Sequence, residues 1–198
     1  MTPVVLASKS ASRQAILKAA GVAFEAVGSG VDEDAAKAAL LARGAGPRDI
    51  AAHLAEAKAI VVSWARPDVI VIGADQTLDL DGTLFDKVES LAEARARLLH
   101  LRGKRHLLHS AVVAAQAGAV IWRYQESPKL RLRDASDGFI DAYLARHGDA
   151  LLGSVGCYQL ENDGVQLFDE IVGDYFAILG LPLTPLLNLL REKGALAA

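Results

Sequence analysis

Three serines and two cations crowd into the six residues Ser8-Lys9-Ser10-Ala11-Ser12-Arg13, directly after the apolar run Val4-Val5-Leu6-Ala7. Ser10 suits an N-cap, its hydroxyl accepting from a first-turn N–H, and Arg13 to Leu17 opens an amphipathic helical pattern. Backbone N–H groups freed at a helix start, with Lys9 and Arg13 alongside, suit anionic oxygens, phosphates above all. The plainer alternative is a helix start with ordinary surface charges. Asp75 follows Val69-Ile70-Val71-Ile72 and two small residues, Gly73 and Ala74, that leave room for close approach. A carboxylate there can hold a divalent cation or take a proton from water. Its alternative is a turn or N-cap residue. Asp32-Glu33-Asp34 form an acidic cluster behind Gly28-Ser29-Gly30; for Asp32 and Asp34 the preferred reading is a solvated helix start whose acids favour the macrodipole. Lys87, alone, reads as a surface lysine. Carboxylates with lysines and arginines near strand ends and helix starts suggest metal-assisted phosphoryl chemistry.

The elements that must position these residues alternate. Residues 4–7 read as a strand, 12–20 as a helix closed by Gly21, and 23–27 as a second strand. A helix over 35–43 ends at Gly44, and Pro47 opens another that runs to about Trp64 with Ile50, Leu54, Ala57 and Val61 on one stripe. Helical geometry sets Lys58 about 60° from that stripe's centre, at the edge of the buried face, where a cation can reach a cleft. The β-branched run 69–72 has the character of a central strand buried on both faces, with 73–77 following its C-terminal end, where open α/β sheets bind ligands. Asp81-Gly82 signals a hairpin between 78–80 and 83–85. A helix over 91–101 leads to strands at 106–115 and 119–124 and a half-exposed strand at 129–134. Ser136 or Asp137 caps a helix reaching His147; strands are expected at 155–160 and 165–172, and a last helix over 182–193.

Length and composition set limits on these readings. At 198 residues, 52% hydrophobic and 23% charged, the chain suits one ordered α/β domain. A net charge of −3 argues against a general nucleic-acid binder, while leaving room for a small phosphorylated ligand held by local cations. The single cysteine, Cys157, excludes an intramolecular disulfide framework and a cysteine-based zinc site, and a small core residue is expected there. The five histidines carry no metal-ligand motif; His106 and His109 face opposite sides of a strand. The N-terminal residues lack the pattern of a secretory signal, and no window offers about 18 uninterrupted apolar residues, so a cytoplasmic protein without a membrane span is expected.

Neither Gly-x4-Gly-Lys-Ser/Thr nor Gly-x-Gly-x-x-Gly occurs. Instead Leu6-Ala7-Ser8-x-Ser10-x-x-Arg13, Val31-Asp32-Glu33, Lys58, Gly73-Ala74-Asp75, Asp81-Gly82, Lys87, Gly173-Asp174-Tyr175 and Gly180-Leu181-Pro182-Leu183 follow one another in that order. In this the whole chain resembles the Maf family of nucleoside triphosphate pyrophosphatases. The resemblance implies a single domain over 1–198 with an α/β fold like that of inosine-triphosphate pyrophosphatases. That fold is an elongated, curved mixed sheet with helices in two lobes around a central cleft. The resemblance also implies hydrolysis of the α–β phosphoanhydride bond to a nucleoside monophosphate and pyrophosphate, a divalent cation (Mg²⁺ or Mn²⁺), and a homodimer. Carried over by residue, it makes Asp75 the catalytic carboxylate, as general base or water-orienting metal ligand, with Glu33 helping to hold the metal. Ser8, Arg13, Lys58 and Lys87 would grip the triphosphate, the cations offsetting charge as pyrophosphate departs.

The chain departs from the family pattern at three places. The family's Ser-Pro-Arg-Arg is here Ser10-Ala11-Ser12-Arg13, so the first arginine is absent. The dTTP/UTP-preferring branch carries Thr after Gly-Ala-Asp and Gln in a late Ile-Gln-Gly; here Gln76 and Glu161 stand instead, as in the branch resembling 7-methyl-GTP pyrophosphatases. Gly153-Ser154 replaces that first branch's Asp-Lys. A carboxylate at Glu161 can accept from the N1–H and N2 edge of guanine, which suits a purine. Ser12 stands where the 7-methyl-GTP-like branch places an aromatic, removing a stacking surface for a cationic base. The substrate implied is therefore a purine-leaning or modified nucleotide. The alternatives are a nucleotide-binding regulator of cell division without catalysis, and a phosphatase releasing orthophosphate.

Overall fold

Short apolar runs separated by capped helices assemble into an open, mixed eight-stranded sheet in the computed structural model, which describes residues 2–197. The first half comprises β1 (Val4–Leu6), α1 (Ala11–Ala19), β2 (Glu25–Ala26), α2 (Glu33–Ala42), α3 (Pro47–Ala65), β3 (Ile70–Leu80) and β4 (Thr83–Phe85). Then follow α4 (Leu91–Leu101), β5 (Arg105–Gln116), β6 (Ala119–Glu126), β7 (Lys129–Leu132), α5 (Asp137–His147), β8 (Phe168–Val172), α6 (Tyr175–Ile178) and α7 (Leu183–Glu192). The sheet order is β2-β1-β3-β5-β7-β8, with β4 also paired to β3 and β6 to β5. β1 is parallel to β2 and β3, whereas β3–β4, β3–β5, β5–β6, β5–β7 and β7–β8 are antiparallel. No helix among the described residues is long and apolar enough to cross a membrane.

β3 is the frame of the molecule. Its aliphatic start was expected to end before Gly73, yet pairing with β5 from Val71↔Ala115 to Asp79↔Leu107 holds the chain extended through Asp75 and on to Leu80. A neighbouring strand thus overrides the loop-like local signal of Gly73-Ala74-Asp75. On one face Ile70, Ile72 and Ala74 join a core with Ile16 and Leu17 of α1 and Leu183, Leu186, Leu189 and Leu190 of α7. Further along that face Leu78 and Leu80 enter a second core with Leu98 and Leu101 of α4 and Ile140 and Leu144 of α5. Gln76 is the polar residue between the two cores, as the period-2 alternation of a strand requires.

The opposite face carries α3. The expected stripe was centred wrongly: Ala57 is half-buried and Val61 is 48% exposed, whereas Ala51, Ala55, Lys58, Ala59 and Val62 face the sheet. Lys58 is thus inside the buried face rather than at its edge. Small residues line that face because the helix lies almost on the strand. A Cβ placed on Gly73 would sit 2.2 Å from the Ala55 carbonyl oxygen and 2.6 Å from the Ala59 nitrogen. A search for large apolar residues passes over a face made of alanines.

The helices over 91–101 and 183–192, and the hairpin at Asp81-Gly82, lie where the pattern places them, with Asp81 (φ 53°) and Gly82 (φ 81°) both left-handed as a two-residue turn demands. The strand expected at 155–160 does not form. Cys157 has φ 58°, and local bonds such as Cys157 N–H to the Ser154 carbonyl (3.2 Å) replace a ladder. Two 3₁₀ turns, Gly148–Gly153 and Asp163–Leu167, flank this segment, and the second delays β8 to Phe168. The second strand shrinks to Glu25–Ala26. Cys157 is buried, and burial pushes its thiol up to about 11, which leaves it a packed, inert thiol.

His106, 2% exposed, bonds the Tyr158 hydroxyl through Nε2 at 2.7 Å, while Nδ1 has no partner among the described residues. Burial pushes its pKa down to about 4. An unfolded histidine titrates near pH 6.5, so between that pH and about 4 the unfolded chain binds a proton that the native chain does not. Stability therefore falls as pH falls through that window. Urea unfolding of His106→Gln should show a loss about 2 kcal/mol smaller than wild type between about pH 7 and 5, whatever its stability at neutral pH. Equal losses would remove this role for His106.

Candidate active site

The site opens where β3 lacks a neighbour. On one edge β1 leaves it after Leu6↔Ile72, with a last bond from Ala7 N–H to the Ile72 carbonyl (2.8 Å), and β4 joins only at Leu78↔Phe85. Between these points the edge of β3 from Gly73 to Thr77 is unpaired, and the loops after β1 and β4 diverge around it. A cavity of about 1070 Å³ fills the gap. Ser8, Ser12, Arg13, Glu33, Lys58, Asp75, Gln76, Lys87 and Glu161, singled out from sequence, all line it.

Two carboxylates and one ammonium form its charged floor. Lys58 Nζ donates to Asp75 Oδ1 and to Glu33 Oε2, both at 2.7 Å. Lys58 is 5% and Asp75 8% exposed. Burial is the strongest influence on Asp75 and outweighs the attraction of Lys58 and Arg13, pushing its carboxyl above the ordinary carboxylate range. Glu33 reaches the site from the first turn of α2, whose N-cap is Asp32, accepting from Ala35 N–H at 3.0 Å. Asp34 is turned to solvent beside Lys37.

The serine- and arginine-bearing end is built by the loop after β1. Ser10 caps α1, accepting from Arg13 N–H, and Ser8 Oγ accepts from Ser10 N–H at 3.2 Å and from Arg13 Nη1 at 3.3 Å. Arg13 Nε donates to the Gly180 carbonyl at 2.9 Å. Burial lowers the Arg13 guanidinium against the attraction of Asp75 and Glu33. Desolvation and repulsion from Arg13 lower the Lys87 ammonium. Each of these cations stands to gain when an anion enters the cavity.

One part of the site was marked in the sequence only by the flanking motifs Gly173-Asp174-Tyr175 and Gly180-Leu181-Pro182-Leu183, with no role attached to it. The short helix α6, N-capped by Asp174 (Ala177 N–H to Oδ1, 2.8 Å), ends in four successive carbonyls that face the site. Ala177 and Ile178 accept from Gln76 Nε2 at 3.0 Å each, Leu179 from Ser12 Oγ at 3.1 Å, and Gly180 from Arg13. Buried Ser110, opposite Gln76 on β5, accepts from Gln76 Nε2 at 2.7 Å and donates to the Ala177 carbonyl at 2.6 Å. The Gln76 amide is thereby fixed with its NH₂ toward the protein, since a flip would set its oxygen against two carbonyls. Gly180 (φ 99°) lies close enough that a Cβ there would touch Gln76 Oε1 and the Arg13 guanidinium. Exposed Glu161 stands on the rim, on the turns that replaced the expected strand.

The family model for Maf-like protein matches residues 3–193. The chain belongs to the Maf-like protein family. Among similar proteins is a nucleoside triphosphate pyrophosphatase of Caulobacter vibrioides, 66% identical over 196 residues, covering 99% of this chain and 98% of the relative. A nucleoside triphosphate pyrophosphatase of Granulibacter bethesdensis is 49% identical over 193 residues, 98% of each chain. A 7-methyl-GTP pyrophosphatase of Rhizobium meliloti is 48% identical over 195 residues, again 98% of each. These relatives match along nearly their whole lengths.

Proposed function

We propose that the protein is a nucleoside triphosphate pyrophosphatase that cleaves the α–β phosphoanhydride bond of a purine-leaning or modified nucleotide. The observation that carries this reading is the cavity in which the cations Arg13, Lys58 and Lys87 surround the carboxylates Glu33 and Asp75. Ser8, Arg13, Lys58 and Lys87 hold the triphosphate, and the cations offset the charge that builds as pyrophosphate leaves. Asp75 orients the attacking water and takes its proton. Its raised pKa moves it towards the working pH, where a base transfers protons best. Gln76 and Glu161 present acceptors to the base, and Ser12 leaves space beside it. In this reading the open mixed sheet is of the inosine-triphosphate-pyrophosphatase type, with helices in two lobes around the cleft.

A divalent cation fits the donor set. Glu33 and Asp75 are hard oxygen donors that already converge on one cationic centre, Lys58 Nζ. No group of three or more His, Cys, Asp or Glu residues could hold an ion among the described residues, so these two would share it with substrate phosphates, as suits Mg²⁺ or Mn²⁺. When bound, such an ion adds positive charge next to the phosphates and makes a coordinated water more acidic.

A nucleotide panel with Mg²⁺ or Mn²⁺ and a coupling pyrophosphatase tests the proposal. Phosphate should appear only with the coupling enzyme, and 7-methyl-GTP or another purine should turn over faster than dTTP. Equal turnover of dTTP and 7-methyl-GTP would remove the base assignment. Tight nucleotide binding without turnover would favour the regulator of cell division.

A further inference from the structure

Two loops form neighbouring parts of the cavity wall without belonging to any helix or strand: Asp86-Lys87 after β4, and the turns 154–161 that lead to Glu161. One side chain joins them. Arg97 of α4 donates through Nη1 to the Asp86 carbonyl at 2.9 Å and to the Val155 carbonyl at 2.6 Å. Its guanidinium carbon lies 4.7 Å from the centre of the Phe85 ring, a cation–π contact with a third residue of the same wall. The helix that carries it is anchored by buried Ala94, Leu98 and Leu101, which share a core with Cys157, Tyr158 and Leu160 of the second loop, so Arg97 projects from a fixed base onto the Lys87 loop. Lys37 of α2 holds the same loop from its other side, donating to Asp86 Oδ1 at 2.6 Å.

We propose that Arg97 is a positioning residue that fixes Lys87 in the triphosphate cavity by tying the Lys87 loop to the segment bearing Glu161. The proposal rests on the pyrophosphatase reading above. Arg97 does not touch the substrate; it acts through Lys87, next in sequence to the carbonyl it holds. Both bonds leave from one nitrogen, Nη1, whose two N–H groups serve one carbonyl each while the guanidinium lies against the Phe85 ring.

A double-mutant cycle tests this. Arg97→Met keeps an unbranched side chain over Phe85 but removes both donors, and Lys87→Met removes the group said to be positioned. Displacing a binding group by about 1 Å can cost about 10²-fold, so Arg97→Met is expected to lower kcat/KM at least ~10-fold. The loss should fall mainly on KM, with the melting midpoint little changed. In the Lys87→Met background the same substitution should change kcat/KM less than ~2-fold, because the residue it acts through is gone. Arg97→Lys should recover part of the loss and takes the place of Arg97→Met in the cycle if that variant does not fold. Independent, multiplying losses would overturn the proposal, as would an Arg97→Met enzyme with unchanged KM. Should wild type bind nucleotides without hydrolysing them, the pyrophosphatase reading fails by itself. The cycle is then scored on nucleotide Kd, where the same coupling is expected.

Discussion

Asp75→Asn is expected to lower turnover about 10³-fold or more, the upper range for loss of a positioned base, while nucleotide binding persists. The grounds are local. Asp75 faces the cavity from the unpaired stretch of β3, and its Oδ1 is engaged by Lys58. The substitution should not cost stability. The native pKa of Asp75 is raised above its unfolded value, so between the two the native state binds more protons. Stability therefore falls as pH rises through that window, and at neutral pH the buried charge is a burden that asparagine lifts. Lys58 retains Glu33 as its partner. Melting at neutral pH should be level with wild type or higher, and titration calorimetry should still detect nucleotide. An Asp75→Asn protein within tenfold of wild-type turnover would mean that another group handles the water.

Gly73→Ala should do the reverse, damaging the fold first and activity through it. The new Cβ would meet the Ala55 carbonyl oxygen at 2.2 Å, the Ala59 nitrogen at 2.6 Å and the Ala59 Cβ at 2.9 Å. Two of these are helix backbone and cannot rotate away, so α3 must lift from the sheet. That separates Ala51, Ala55 and Ala59 from Ala111, Val113 and Ala115, a layer of small residues with little to fill the gap. Overpacking of this kind costs about 3 kcal/mol or more. In a chain of this size that is a fall of about 6–12 °C in melting temperature. Lys58, next to Ala59, moves with the helix away from Asp75, so kcat/KM should drop even at temperatures where the variant is folded. A melting curve superimposable on wild type would show that the close approach of α3 to β3 is not required.

The contrast between these two residues explains what was legible in the sequence. Asp75, Lys58 and Arg13 could be singled out because their chemistry is carried by residue type, whereas Lys87, alone, read as a surface lysine and, like Glu33, gained its role from the family resemblance; the fold gathers all five around one cavity. Elements with strong local signals, such as the Ser10 cap, the Asp81-Gly82 turn and the long helix α4, were equally readable. What could not be read depends on partners distant in the chain. β3 continues past Gly73 because β5 lies beside it. The sheet-facing side of α3 is alanine because Gly73 admits it, so apolar bulk misplaced the stripe and left Lys58 at its edge. The supports of Gln76, Ser12 and Arg13 are the carbonyls of Ala177 to Gly180, and a carbonyl leaves no mark on residue type. Ser110 and Arg97 look like unremarkable strand and helix residues until their partners are in place. The turns around Cys157 resemble a strand because apolar residues recur there, while their backbone bonds are local.

The central claim concerns one bond, and the identity of the products tests it most directly. Wild-type protein would be incubated with 7-methyl-GTP and the standard nucleoside triphosphates in the presence of Mg²⁺ or Mn²⁺, without coupling enzyme, and the products followed by ³¹P nuclear magnetic resonance. Cleavage between the α- and β-phosphates predicts nucleoside monophosphate and pyrophosphate in equal amounts, with no orthophosphate. Nucleoside diphosphate with orthophosphate, from whichever nucleotide turns over fastest, would contradict it.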